Sequence, residues 1–317
     1  MKKLSYDNGD KMDILGLGTW KSAPGEVYEA IREAIKAGYT HIDCAAIYNN
    51  EKEIGQALKD AIAIGDTSRG KLWITSKLWN NAHKQEAVIP ALQKTLSDLQ
   101  LDYLDLYLVH WPVAFKEDVV FPSEGSEMVP LEDLPITETW AGMAEAKAQG
   151  LAKHIGVSNF STNKLQQLID SGIAKPEMNQ IELHPLLQQK DMLAFCEEQG
   201  IHLTAYSPLG SRDRSADMKA NDEPDMFELE IIKEIAAAHG KSPAQILLAW
   251  AVNRGTAVIP KSTNPDRLRQ NHQSAKITLS DEEMERIASL DKHYRYVKGD
   301  FFALPESGYT VQSLWDE

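Results

Sequence analysis

Asp43, Lys77 and His110 each close a short apolar, β-prone run, at residues 39–43, 72–77 and 104–110, and Tyr48 follows Asp43 by five positions. If the three runs are successive strands of one sheet, their ends are neighbours. An acid, an amine, an imidazole and a phenol would then share one site. Each taken alone reads equally well as a structural polar residue at a strand end. The chemistry the four suit together is proton donation to a carbonyl oxygen. A tyrosine titrates near 10, and a cation within about 4 to 6 Å lowers that by roughly 1 to 3 units, toward a useful acid at neutral pH. Lys77 is placed to be that cation, Asp43 to keep it charged, and a neutral His110 to orient the substrate oxygen.

The elements that must hold these residues are visible as alternation. Strand-like runs occur at 14–18, 39–43, 72–77, 104–110, 154–158, 178–182, 202–207 and 257–260. Between them come helical spacings such as Val27/Ala30/Ile31/Ala34/Ile35, Ile54/Leu58/Ile62, Val88/Leu92/Leu96/Leu99, Leu165/Leu168/Ile169 and Leu229/Ile232/Ile235. Eight βα repeats predict a closed (β/α)8 barrel spanning residues 1–317 as a single domain, because an open doubly wound sheet usually has fewer strands and a Gly-rich first turn. Asn8-Gly9, between 3–6 and 11–14, predicts an N-terminal hairpin with a two-residue turn. Three stretches, 112–135, 208–226 and 291–317, are too long for simple connections. The first two follow the fourth and seventh runs and so belong to the active-site end of a barrel; the third is expected to fold back over that mouth.

Composition narrows the function. The 317 residues carry 33 Lys+Arg against 47 Asp+Glu, a net charge of −14, which disfavours nucleic acid or an anionic membrane as a partner. An anionic ligand needs a local basic pocket. Two cysteines, Cys44 and Cys196, cannot supply a multi-thiolate zinc site or a disulfide framework. With no long apolar run and no apolar stretch behind the first lysines, a cytoplasmic protein is expected.

The segments Gly16-Leu17-Gly18-Thr19-Trp20, Gly38-Tyr39-Thr40-His41-Ile42-Asp43-Cys44-Ala45, Tyr48-Asn49-Asn50-Glu51, Gly156-Val157-Ser158-Asn159-Phe160 and Ile259-Pro260-Lys261-Ser262 closely resemble the aldo-keto reductase family, in order and across nearly the whole chain. The resemblance implies a barrel enzyme that uses NADPH to reduce aldehydes and ketones, with Asp43, Tyr48, Lys77 and His110 as its catalytic tetrad. The long loops and tail look more like aldose, aldehyde and xylose reductases than like shorter bacterial members.

Cofactor binding is weakly written in the residues alone. Gly16-Leu17-Gly18 fails the G-x-G-x-x-G pattern, and no phosphate-binding P-loop occurs. The stronger signal is the stretch 261–271, which holds three cations and one carboxylate after the eighth run, at the start of a helix. That suits a phosphate, or else a solvated charged helix start. By resemblance, Lys261, Ser262, Thr263, Asn264 and Arg267 would hold the adenosine 2′-phosphate region and Asn271 the adenine, with Gln270 where the family often has glutamate. Ser158, Asn159 and Gln180 match residues that hold the nicotinamide amide, and Tyr206 the ring that stacks on it, though alone Tyr206 reads as a core aromatic. Ser207, Leu209 and Ser211 resemble the loop over the pyrophosphate. Trp20, Trp79, Trp111 and Phe121 match aromatic positions around a small-molecule carbonyl substrate.

Other features read as structure: Cys44 as a small buried residue, His184 without a second histidine at metal-ligand spacing, and Ser280 with Asp281-Glu282-Glu283 as a helix start. Two further functions remain open. A lysine at a barrel strand end also suits a Schiff-base aldolase, and some relatives of this family act as non-catalytic, nucleotide-sensing subunits. A monomer is expected, with the dimer of related xylose reductases as the alternative.

Overall fold

Lys3–Ser5 (β1) and Lys11–Asp13 (β2) form the expected antiparallel hairpin, but its turn is longer than two residues. Tyr6 N–H donates to the Asp10 carbonyl at 2.9 Å and Gly9 N–H to the Tyr6 carbonyl at 2.9 Å, so Asp7, Asn8 and Gly9 make a three-residue loop. Gly9 takes the positive φ of 90° that this turn requires. The Asn8 side chain accepts from Asp10 N–H at 3.0 Å, which favours the longer turn. The hairpin packs on the strands' N-terminal ends, where the Tyr6 ring lies 4.9 Å from Trp73 and 4.1 Å from His154.

The computed structural model describes residues 1–212, 214, 219–220 and 222–317, so part of the expected 208–226 loop lies outside the described residues. Eight parallel strands make the sheet. In spatial order they are Leu17–Gly18 (β3), His41–Asp43 (β4), Trp73–Leu78 (β5), Leu104–Val109 (β6), Ala152–Ser158 (β9), Met178–Glu182 (β10), His202–Tyr206 (β11) and Ala257–Val258 (β12). The sheet closes on itself through parallel bridges between Leu15 and Val258 and between Gly18 and Lys261. All eight expected strands are present; β3 and β12 are shorter because their ends pair through these single bridges. Glycine is required at this seam by close approach: a Cβ on Gly16 would sit 2.5 Å from the His41 ring, and one on Gly18 2.7 Å from the Ile259 carbonyl. That accounts for Gly16-Leu17-Gly18 without a nucleotide fingerprint.

Helices alternate with the strands: Glu26–Ala37 (α1), Glu51–Ala63 (α2), Gln85–Leu99 (α3), Ile136–Ala148 (α4), Thr162–Asp170 (α5), Lys190–Gln199 (α6), Glu230–His239 (α7), Pro243–Asn253 (α8) and Pro265–Ser274 (α9). The α1 face Val27, Ala30, Ile31, Ala34 and Ile35 is buried as its spacing requires. Helix α8 shows no such stripe because Gln245–Val252 are all buried. Asp281–Ala288 (α10) starts at Ser280 with a capping box to Glu283, as expected.

The first long stretch contains a small hairpin, Ala114–Phe115 (β7) with Met128–Val129 (β8). The tail is knitted to it and ends in Val311–Trp315 (α11): the Tyr309 hydroxyl donates to the Val129 carbonyl at 2.7 Å and accepts from Ala114 N–H at 3.0 Å. Phe301, Phe302 and Trp315 of the tail have ring centroids 5.9, 5.2 and 5.8 Å from Trp111. The tail therefore folds over the barrel mouth, as its length suggested. No helix among the described residues is long and apolar enough to cross a membrane.

Candidate active site

Register brings the four polar residues together. Asp43 pairs with Thr75 across β4 and β5, and Lys77 lies two residues further along, on the face Thr75 shares. The buried Lys77 ammonium pairs with Asp43, donates to the Cys44 carbonyl at 2.8 Å, and stands 3.4 Å from the Tyr48 hydroxyl. The other Asp43 oxygen accepts from Gln180 Nε2 at 2.7 Å. Tyr48 comes from a 3₁₀ turn, Ala46–Tyr48, whose next residue, Asn49, has a left-handed φ of 55°. Its ring meets that of His110 edge-on at 5.8 Å.

Burial pulls Lys77 down, but the Asp43 carboxylate and Tyr48 outweigh it and hold the amine above the usual lysine value. Burial also pushes Tyr48 above the ordinary tyrosine value, with Lys77 pulling the other way. The cation alone therefore does not bring this phenol toward neutrality. Tyr48 is only half-buried and lines an open cavity, which tempers the upward push. Burial, reinforced by Lys77 and His83, drives His110 well below the usual histidine range, so its imidazole is neutral at pH 7.

A cavity of about 1300 Å³ opens at this end of the strands. Asp43, Tyr48 and His110 line it, as do Trp20, Trp79, Trp111 and Phe121. Lys77, with no exposed surface, reaches it only through Asp43 and Tyr48. Trp79 is fixed by its Nε1 donating to the Val120 carbonyl at 2.7 Å and stacks on Phe121 at 5.8 Å. Ser158, Asn159, Gln180, Tyr206, Ser207, Leu209, Ser211, Lys261, Ser262, Thr263, Asn264, Arg267, Gln270 and Asn271 line the same cavity. Asn159 Nδ2 donates to the His110 carbonyl at 3.0 Å and its Oδ1 accepts from the Tyr206 hydroxyl at 2.7 Å, which ties the two groups of residues together.

Asn264 caps α9, its side chain accepting from Arg267 N–H at 3.0 Å, and Pro265 opens the helix. Of the three cations here, Arg269 pairs with Asp266 at 2.6 Å, while Lys261 and Arg267 have no carboxylate partner among the described residues. Two unpaired cations beside a helix N-terminus, facing a cavity in a strongly acidic protein, fit a phosphate-bearing ligand.

Residues 14–292 match the aldo/keto reductase family. The chain belongs to that family. It is 54% identical over 317 residues, its whole length, to an aldo/keto reductase of Synechocystis sp., covering 97% of that protein. It is 47% and 45% identical, over 91% of its length and 89% of theirs, to aldo-keto reductase family 1 member A1 of Mus musculus and of Homo sapiens. It is accordingly an oxidoreductase of a family that generally uses NAD(P)H and acts on small carbonyl compounds.

This aldo-keto reductase also lines its cavity with residues that spacing did not single out, among them Ile47, Asn49, Val120, Phe227, Val297 and Phe301. Phe301 and Val297 arrive from the tail, and only the tail's length pointed to them. Cys44 is buried as expected, with burial raising its thiol well above the usual value. His184 is fully buried with Nε2 2.8 Å from the Glu182 carboxylate, whose other donors are the backbone N–H groups of Tyr296 and Val297 at 2.6 and 2.8 Å.

Proposed function

We propose that this protein is an NADPH-dependent reductase of aldehydes, with Tyr48 as the proton donor. The observation that carries the reading is the buried chain from Gln180 through Asp43 and Lys77 to the Tyr48 hydroxyl, opening on the cavity that the unpaired Lys261 and Arg267 also line. Nicotinamide, when bound, supplies the hydride that adds to the carbonyl carbon. Tyr48 gives its proton to the carbonyl oxygen as negative charge develops there, and Lys77 stabilises the phenolate left behind. Neutral His110 offers an N–H to the same oxygen and so selects its orientation. Gln180, whose Nε2 is held by Asp43, keeps its Oε1 free to accept from the nicotinamide amide, and Ser158 and Asn159 line the same region. Tyr206 offers its ring as a stacking surface, while Lys261, Ser262, Thr263, Asn264 and Arg267 would hold the 2′-phosphate and Asn271 the adenine. Ser207, Leu209 and Ser211 would cover the pyrophosphate.

A Schiff-base aldolase needs a neutral, accessible amine. Lys77 is fully buried and its charge is held by Asp43 and Tyr48, which weighs against that chemistry. The complete tetrad weighs against a nucleotide-sensing subunit without turnover. Trp20, Trp79, Trp111 and Phe121 favour apolar aldehydes over free sugars. NADPH oxidation against a panel of aromatic aldehydes, aliphatic aldehydes, aldoses and uronates tests the reading; no oxidation with any of them would sink it.

A further inference from the structure

Asn50 and Glu51 lie two and three residues after Tyr48, and neither has a part in the reaction as described. Both side chains are buried, Asn50 at 6% exposure and Glu51 at 4%. Asn50 Nδ2 donates to the Thr19 carbonyl at 2.9 Å, and the Thr19 hydroxyl donates to the Asp43 carbonyl at 2.8 Å. On the other side, Glu51 Oε1 accepts from the Ser76 hydroxyl at 2.5 Å. Ser76 is fully buried and directly precedes Lys77 on β5. The short segment that carries Tyr48 is thus tied at two points, to the end of β3 and to β5.

We propose that Glu51 is a positioning residue of the reductase site: through Ser76 it fixes the Tyr48 turn against the strand that carries Lys77, and so sets the Tyr48 to Lys77 contact. The proposal rests on the reading of Tyr48 as proton donor. Its physical basis is that a buried carboxylate is a strong acceptor with few alternatives, so the bond to Ser76 is directional and costly to break. Nothing else among the described side-chain hydrogen bonds links residues 46–51 to β5 except Lys77 itself. A tie of this kind acts on the spacing of the acid and the cation, where small errors are expensive in rate.

One consequence separates this role from simple packing. Burial pushes the Glu51 carboxyl up to about 7, against the hydrogen bond from Ser76. The charges that face it are Lys77 on β5, which favours its ionised form, and Asp98 on α3, which opposes it; Cys44 and Tyr107 on β6 also lie within its field. Tyr48 and Lys77 are both shifted up and His110 well down, each away from neutrality. Glu51 is shifted toward it instead. Its ionised form is the stronger acceptor for Ser76, so the tie is tightest above neutral pH and loosens as pH falls through about 7.

The test uses the full-length protein and its Glu51→Gln, Glu51→Ala and Ser76→Ala variants, with NADPH and an aromatic aldehyde. Single-turnover rates are measured across the neutral range, and the infrared carbonyl band of a protonated carboxylic acid is followed over the same pH values in the protein alone. Wild type should lose a few-fold of its rate as pH falls through neutrality, in step with the growth of that band. Glu51→Gln, which retains an acceptor for Ser76 but cannot ionise, should lose both the band and the inflection. Glu51→Ala and Ser76→Ala should lower the single-turnover rate about tenfold, with NADPH binding followed by fluorescence unchanged. Loss of fold in Glu51→Ala leaves the decision with Ser76→Ala, which removes one hydroxyl. A wild-type rate and pH profile in Ser76→Ala, or the neutral inflection surviving in Glu51→Gln, would overturn the positioning role while leaving the reductase reading intact. A wild-type protein inert toward every aldehyde would overturn both.

Discussion

Removing the Lys77 charge should move the acid that drives reduction, and the structure says by how much. The ammonium stands 3.4 Å from the Tyr48 hydroxyl. Between that charge and a phenolate, Coulomb's law gives about 5 kcal/mol at an effective dielectric of about 20, and about 1 kcal/mol in bulk water. At about 1.4 kcal/mol per unit, Tyr48 should rise by about 1 to 4 units when the charge is lost, with the lower half favoured because its ring opens on the cavity. Lys77→Met alone would leave Asp43 buried with Gln180 as its remaining side-chain donor, a defect that typically costs about 3 to 5 kcal/mol of stability. The double variant Asp43→Asn with Lys77→Met avoids that unpaired charge but also removes the Asp43 carboxylate, which itself raises Tyr48, so its shift should be the smaller one and the folded Lys77→Met protein measures the coupling directly. With Tyr48 as the proposed donor, reduction requires the protonated phenol, so the basic limb of the single-turnover profile should shift upward. The neutral-pH rate should also fall, by less than the roughly 10² to 10⁴ at stake when the acid is removed altogether. A phenolate difference spectrum titrated in parallel assigns the limb to a tyrosine. A folded Lys77→Met variant whose basic limb stays within half a unit of wild type, by a 1.4 kcal/mol-per-unit conversion about 0.7 kcal/mol, would refute the coupling.

Tyr48→Phe should lower single-turnover reduction by about 10² or more while leaving NADPH affinity in fluorescence titration nearly unchanged; more than about a tenth of the wild-type rate would count against Tyr48 as the donor. Arg267→Ala should weaken NADPH binding at least about tenfold and NADH binding much less, because charge-assisted bonds to the extra phosphate are worth roughly 1.5 to 3 kcal/mol each. Equal losses for the two coenzymes would mean that Arg267 serves the shared part of the ligand or only shapes the loop. Trp111→Ala should penalise kcat/KM for an aromatic aldehyde more than for glyceraldehyde, since only the larger substrate can use that apolar surface, at about 25 cal/mol per Å². A uronate or xylose outperforming benzaldehydes in side-by-side kinetics, corrected for open-chain fraction, would reveal polar anchors in the pocket.

The strands were legible because barrel strands are buried on both faces and read as short apolar runs, and β10 coincides with its run at both ends. Boundaries failed where pairing is sparse, at β3 and β12, since a single bridge leaves no periodic mark. The hairpin turn was misjudged because Asn8-Gly9 suits both two-residue and three-residue turns, and the deciding bond, from Asp10 N–H to the Asn8 side chain, is a local contact that composition does not announce. Helix α8 was missed for the reason β strands were found: burial on every side erases periodicity. At the site, the residue types and their strand-end positions were readable, and the cavity gathers all of them except Lys77. What spacing could not supply was the balance at Tyr48. A sequence shows that a cation is near; the cavity that the phenol faces is shared with residues as distant as Phe301 and Val297, which reach it from the tail.

The buried Asp43–Lys77 pair is best understood through what it would cost to keep without a use. Two charges removed from water lose several kcal/mol of hydration each, and apolar residues of similar volume often serve stability as well or better. This protein surrounds the pair with donors and acceptors instead: Gln180 on one Asp43 oxygen, and the Cys44 carbonyl and Tyr48 hydroxyl beside the ammonium. Such a network stiffens three strands, β4, β5 and β10, at the one end of the barrel where their side chains meet the cavity. Stability alone does not require it there, because the opposite end is closed by the Tyr6, Trp73 and His154 stack against the hairpin. The pair's position, its full set of partners and its outlets through Asp43 and Tyr48 are what the proposed fixed positive charge behind a proton donor demands, and that role would explain why an otherwise acidic barrel holds a lysine with no exposed surface.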